Sequence, residues 1–221
     1  MQLRSTKTLY SYWNDIRGAR SAPDRRDIDP TRIRDALAYT FILESEDGLD
    51  FSFRLAGSHL CASYCRELKG RSFGALWPAR DRDALDTLVR AVTEDHAIAV
   101  LTFEGRSERN ETLAFETALF PLRHNGVTCS RIMGSMTALD TPYWLGIHPI
   151  VQQRITGLRL IWPDDASDSI ATGFSIASDS DQTTRFGAAL REPMPSMPSS
   201  LAGVSARRYA HLAVIDGGKA Q

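Results

Sequence analysis

The sequence predicts an α+β fold. Its core is a five-stranded antiparallel sheet with helices on one face, preceded by an N-terminal helix and followed by a largely disordered C-terminal tail. Three observations carry that expectation. Phe51, Phe53 and Leu55 alternate with Ser52 and Arg54, the period of a half-buried strand. Gly57 ends that run and opens onto Leu60, Tyr64 and Leu68, which share one side of a short helix. Further on, three strand-like runs follow one another, and Asn125-Gly126, the strongest hairpin signal in the chain, joins the last two. Two hairpins bracketing a run of small helices roof one side of a sheet.

At 221 residues the chain suits one domain with an extension. A formal charge of −1 removes the simplest electrostatic case for nucleic acid or an acidic membrane. The apolar runs are too short to span a bilayer, and Met1–Leu9 lacks the apolar stretch of a secretory signal. Three cysteines without framework spacing suit a reducing compartment. A cytoplasmic protein is expected.

In chain order, Leu9, Tyr12, Trp13 and Ile16 recur at helical spacing, with Ser5 or Thr6 as cap and Gly18 as stop. Such a helix packs on its own core or, in the sharper reading, forms a homodimer contact. Residues 1–28 thus form a helical extension and linker, with Pro23 in the polar stretch after the helix. Asp29-Pro30 opens a short helix running to Leu37. Tyr39–Glu44 pairs with Asp50–Ala56 across the turn at Glu46-Asp47-Gly48. In the next helix Ser58 serves as cap and Gly70 as the left-handed stop, returning Phe73 and Leu76-Trp77 to the sheet. Pro78 opens a helix with the stripe Leu85, Leu88, Val89 and Val92. Strands are expected over His96–Glu104, Thr112–Leu122 and Thr128–Leu139, with a charged loop over Gly105–Glu111. Pro121 is tolerable near a strand end or at an edge. The core domain is 29–141. Segment 142–162 is apolar and reads as a helical cover. From 163 to 221 Ser, Asp, Thr and Pro dominate, except for a short docking segment at 207–218.

The order of elements, with FRLAGSHLCASYCRELKGRSFGALW at the strand–helix junction, resembles the PAS domain superfamily. It is most similar to the short single-domain PAS proteins of alphaproteobacteria. The resemblance covers roughly Leu9–Leu139 and rests on Phe53–Gly57, Leu68–Phe73 and Trp77. It implies a sensor or regulatory module for signal transduction, with a cleft between sheet and helices that holds haem, flavin, a small acid or nothing. No kinase, cyclase or phosphodiesterase segment is visible, so the resemblance implies action through other signalling proteins.

The chemistry legible in the sequence is sparse. Cys61 and Cys65 are an i, i+4 pair beside His59, short of the three or four ligands a tetrahedral metal site needs, so small packing cysteines are the better reading. Ser63–Leu68 departs from the Asn-Cys-Arg-Phe-Leu-Gln pattern of flavin-binding photoreceptors. Haem needs an axial ligand over an apolar pocket, and His96 at a helix–strand junction is the candidate. His124 precedes the Asn-Gly turn, while His148 and His211 fall outside the domain with no carboxylate placed beside them by sequence. Glu104, Glu108 and Glu111 read as a solvated charged loop; Glu116 falls inside a strand. No phosphate loop, dinucleotide fingerprint, zinc-protease or nucleophile-elbow motif is present.

The cleft is expected to be lined by Phe53, Tyr64, Cys65, Phe73, Trp77, Leu101, Phe103, Phe115, Met133 and Ser135, with Tyr64 and Ser135 as its polar groups, unless a filled core takes its place. Partner contacts are expected from Leu9, Tyr12, Trp13 and Ile16 and from Arg207, Arg208, Tyr209 and Leu212. The expected function is that of a cytoplasmic regulatory protein acting through protein contacts, with a small ligand as gate. The alternatives are a ligand-free interaction adaptor using its tail, and a small α+β enzyme of the cone-shaped isomerase outline.

Overall fold

The structure is a computed structural model that describes residues 1–45, 50–124, 128–163 and 174–175. The strands are β1 (Thr40–Glu44), β2 (Ser52–Ala56), β3 (Ile98–Ser107), β4 (Thr112–His124), β5 (Thr128–Ala138), β6 (Ile150–Ile161) and the two-residue β7 (Phe174–Ser175). The helices are α1 (Arg4–Arg17), α2 (Ser58–Ser63) and α3 (Ala79–Thr93), with short 3₁₀ turns between them. All pairings of these strands are antiparallel, in the order β2-β1-β5-β4-β3-β6-β7. The expected five strands are present in the expected order. β6 and β7 extend the sheet beyond β3, so segment 142–162 is largely strand and not the helical cover expected. Of the expected tail, 163–221, residues 164–173 and 176–221 with the docking segment at 207–218 lie outside the described residues, as do 46–49 and 125–127.

The flap and α3 cover one face of the sheet, as expected, and the N-terminal helix covers the other. On one face Phe41, Leu43, Leu101, Phe103, Phe115, Ile132 and Met136 pack against Leu60, Phe73, Trp77, Leu85 and Leu88 from α2, α3 and the loops between them. On the other, Ile98, Val100, Ala118, Phe120, Leu122 and Met133 pack against Leu9, Tyr12 and Trp13 of α1. The period of two assigns successive residues of β3, β4 and β5 to opposite faces, and both sets are apolar.

The apolar stripe of α1 is therefore satisfied by the chain's own sheet. Leu9 and Trp13 are fully buried and Tyr12 nearly so, while Ile16 is half-buried at the margin. The Trp13 indole N–H donates to the Pro121 carbonyl at 2.9 Å, and the ring lies 6.1 Å from Phe120. This is the packing on the chain's own core, the first of the two readings of the helix. Gly18 stops the helix at φ 56°, as expected. Neither Ser5 nor Thr6 caps it; both lie within the helix and face β5, Ser5 against Thr137 at 2.8 Å and Thr6 against Ser135 at 3.3 Å. The two residues leading into the helix are instead held by a distant carboxylate. Glu116 of β4, 1% exposed, accepts from the backbone of Gln2 at 2.7 Å and Leu3 at 3.2 Å.

Smaller differences have local causes. The helix expected after Asp29-Pro30 is a single 3₁₀ turn, Pro30–Ile33, capped by the Asp29 carboxylate on Thr31 N–H. The charged loop before β4 is shorter than expected because β3 runs on to Ser107. Pro121 sits in a central strand near its end, its carbonyl bound by Trp13.

Candidate functional site

The helical flap over β1, β3, β4 and β5 is built by three backbone devices. At Gly57 the chain turns from β2 into α2, its N–H donating to the Thr40 carbonyl at 2.8 Å. A Cβ there would stand 2.4 Å from the Ala38 carbonyl oxygen, so only glycine fits. Gly57, not Ser58, occupies the cap position, and no side chain caps α2. The helix is shorter than the Leu60–Leu68 stripe suggests. It closes with Cys65 N–H on the Ala62 carbonyl and Arg66 N–H on the Cys61 carbonyl, and Cys65 is left-handed at φ 48°. Residues 70–73 then lie along β2, with Gly70 N–H on the Phe53 carbonyl and Phe53 N–H on the Arg71 carbonyl. That pairing delivers Phe73 and Trp77 beneath the flap.

Seven of the ten expected cleft residues meet there: Phe53, Tyr64, Phe73, Trp77, Leu101, Phe103 and Phe115 are all buried in one cluster. The rings of Phe53, Phe73, Trp77, Phe103 and Phe115 form a continuous chain with Phe41, which is not among the expected lining residues although it alternates with Leu43 in β1. Phe41 lies 5.6 Å from Phe53 and 5.9 Å from Phe73; Phe73 lies 6.0 Å from Trp77, Trp77 5.1 Å from Phe103, and Phe103 stacks on Phe115 at 4.9 Å. Most contacts are edge-to-face, the arrangement that suits ring quadrupoles. The space under the flap is largely filled by this aromatic chain.

The other three are placed elsewhere. Cys65 is exposed at the end of α2. Met133 and Ser135 face α1, since the β5 residues turned to the flap are Ile132 and Met136. The polar partner of Tyr64 is instead Gln153 of β6. The Tyr64 hydroxyl donates to Gln153 Oε1 at 2.9 Å and also lies 3.5 Å from Met136 Sδ, while Gln153 Nε2 donates to the Leu76 carbonyl at 2.6 Å. Burial pushes the Tyr64 phenol up, so it stays a neutral donor. Nothing in the residue pattern marks Gln153, because it lies in the segment read as helix.

Remaining reactive groups are dispersed. His59 stacks on Tyr39 at 4.6 Å. Burial raises the Cys61 thiol, and its sulfur lies 3.7 Å from Glu67. His96 sits at the α3–β3 junction with φ 56°. Among the described residues no three His, Cys, Asp or Glu side chains come together to hold a metal. His148 corrects an expectation: it is buried, and its Nδ1 lies 2.7 Å from Glu111 Oε2, which also accepts from Ser107 Oγ at 2.9 Å. The carboxylate stands between hydroxyl and imidazole, so the base does not touch the hydroxyl and the arrangement is not a nucleophile triad. Burial by itself would raise the Glu111 carboxyl. The hydrogen bonds from His148 and Ser107, with the charges of His148 and Arg109, outweigh it and hold the group below its ordinary value.

Beside this pair the chain holds apolar side chains outward. Trp144 is anchored in the flap-side core, and Ile147 and His148 N–H both donate to its carbonyl at 2.9 Å. The same turn leaves Tyr143 83% and Ile147 65% exposed, with Leu139 and Val151 also exposed. At the outer side of β2 a depression of about 480 Å³ is lined by Glu44, Asp50, Arg54 and Lys69, charges of both signs. Of the expected partner contacts, Arg207, Arg208, Tyr209 and Leu212 lie outside the described residues.

No curated protein matches the chain. Among solved structures, the chain is similar to the PAS domain of an HTR-like protein from Haloarcula marismortui, at 17% identity over 49% of this chain and 90% of that one, with a TM-score of 0.35. The family model described as PAS domain matches residues 1–137, the part that holds α1, the flap and β1 to β5. The chain belongs to the PAS domain family.

Proposed function

We propose that this protein is a cytoplasmic sensory and regulatory module that acts by contacting another protein and catalyses no reaction. One observation carries the reading: the turn after β5 holds Tyr143 and Ile147 out in water while Trp144 and the His148–Glu111 pair fix its backbone. Large apolar groups held rigidly at a surface lose little entropy on binding, and they mark contact sites. An isomerase would need a buried acid facing a cavity; both carboxylate oxygens of Glu116 are instead taken by the Gln2 and Leu3 N–H groups, which supports the non-enzymatic reading. The free thiols Cys61 and Cys65 suit a reducing compartment.

Photo-crosslinking tests the proposal. A photoreactive residue at 143 or 147 is expected to trap a discrete partner in cells, whereas the same residue at exposed Arg34 or Arg82 is not. Equal trapping at all four positions would remove the reading. Ligand gating is the second reading, favoured by the buried Tyr64–Gln153 pair inside an otherwise apolar core. Its check is the absorbance spectrum of the purified protein, followed by thermal shift against small metabolites.

A further inference from the structure

We propose that Tyr64 and Leu76 form a recognition site for a primary carboxamide, that Gln153 fills it from within the chain, and that this occupancy ties β6 to the flap. β6 lies beyond the residues matched to the family, 1–137, and adds itself to the open side of β3. It nevertheless reaches the core under the flap through one polar side chain, Gln153, which is 4% exposed.

The chemistry of the two flap groups defines what they accept. A backbone carbonyl can only accept, so the group facing Leu76 must carry an N–H. The Tyr64 hydroxyl donates to the other atom of the same group, which must therefore be an acceptor. An amide that still carries an N–H offers a donor and an acceptor on one carbon to opposite partners, and the primary carboxamide is the form a side chain supplies. A carboxylate would set an oxygen against the Leu76 carbonyl, and a tertiary amide has no hydrogen to give it. Either leaves a buried carbonyl unsatisfied, which costs more than the pair gains.

β6 is shaped to deliver this group. Ile155 pairs with Phe103 and Gly157 with Thr102, leaving Thr156 as an extra residue in a bulge. Next to that bulge the Ile155 N–H donates to the Asp81 carboxylate in the first turn of α3 at 3.1 Å. The flap is thus held to β6 at three points: the end of α2, the turn before Trp77, and the start of α3. Two of the three run through Gln153.

The test uses the full chain. Gln153→Ala removes one methylene and the carboxamide, the heavy atoms of acetamide. The variant is expected to melt below wild type. Acetamide is expected to raise its Tm by ~2 °C or more in a saturable way, with no rise for wild type, whose site is occupied. Acetate and N,N-dimethylacetamide are expected to give no rise, and adding Tyr64→Phe should abolish the acetamide effect. Equal responses to acetamide and dimethylacetamide, or none to either, would overturn the proposal. Should Gln153→Ala not fold, Gln153→Met keeps the length and much of the volume but has no group that can donate to the Leu76 carbonyl. Hydrogen exchange at the Ile155 amide is then expected to quicken by about tenfold relative to central β4 amides; an unchanged ratio refutes the tie.

Discussion

Trp13 gives the sharpest test of how α1 is used. Its side chain is fully buried, packs 6.1 Å from Phe120, carries the Arg17 guanidinium 5.5 Å over its ring, and gives its N–H to the Pro121 carbonyl. Truncating a buried Trp to Ala costs about 3–5 kcal/mol from lost transfer energy and the cavity left behind. With a urea slope of about 2 kcal/mol per molar, Trp13→Ala should lower the unfolding midpoint by roughly 2 M. Trp13→Phe keeps most of the apolar area and loses chiefly the donor, so about 1 kcal/mol is expected. Because the partner surface is the chain's own β3, β4 and β5, the wild-type midpoint should not depend on protein concentration. A wild-type midpoint that rises with concentration would mean that a second subunit stabilises α1. A Trp13→Ala midpoint equal to that of wild type would refute the packing argument altogether.

Three further perturbations follow from local geometry. At Gly134 in β5 an added Cβ would stand 2.2 Å from Phe41 Cζ, a ring already held between Phe53 and Phe73, so Gly134→Ala should destabilise by about 1–3 kcal/mol in the same urea assay. Cys65 is exposed and left-handed at φ 48°, where a Cβ costs about 1 kcal/mol. Cys65→Gly should therefore raise the thermal midpoint by roughly 2–4 °C, and a lower one would show that its side chain contributes. Glu111 has a folded-state pKa below its ordinary 4.5, so the stability it brings is present above that value and fades as pH falls through the folded one. His148→Ala should move the carboxyl titration upward by NMR; an unmoved titration would sever the pair.

What could be read from residues alone divides along physical lines. β1 to β5 were legible because β-branched and aromatic residues cluster in short runs bounded by Gly, Asp and Asn, and the flap because Gly57 and Pro78 punctuate it. The phase of β5 was not. Alternation separates a wet face from a dry one, and here α1 dries the second face, so Met133 and Ile132 look equally inward. β6 escaped for a different reason. Val151 and Thr156 are extra residues at its two register shifts, so its inward positions run Ile150, Gln153, Ile155 and lose the period of two. Gln153, a polar residue in an irregular stretch, was then beyond reach. Glu116 was placed in its strand, but its task at the start of α1 spans more than a hundred residues of chain.

The backbone seal along β2 has a consequence for self-association. The pairing of residues 70–73 with Phe51 and Phe53 leaves that rim little main chain to offer another molecule. Growth by strand addition would need two unlike rims, one on each side, to propagate head to tail. With one rim blunted, joining at the opposite side would end at a symmetric pair, which guards a two-sided apolar sheet against fibre formation.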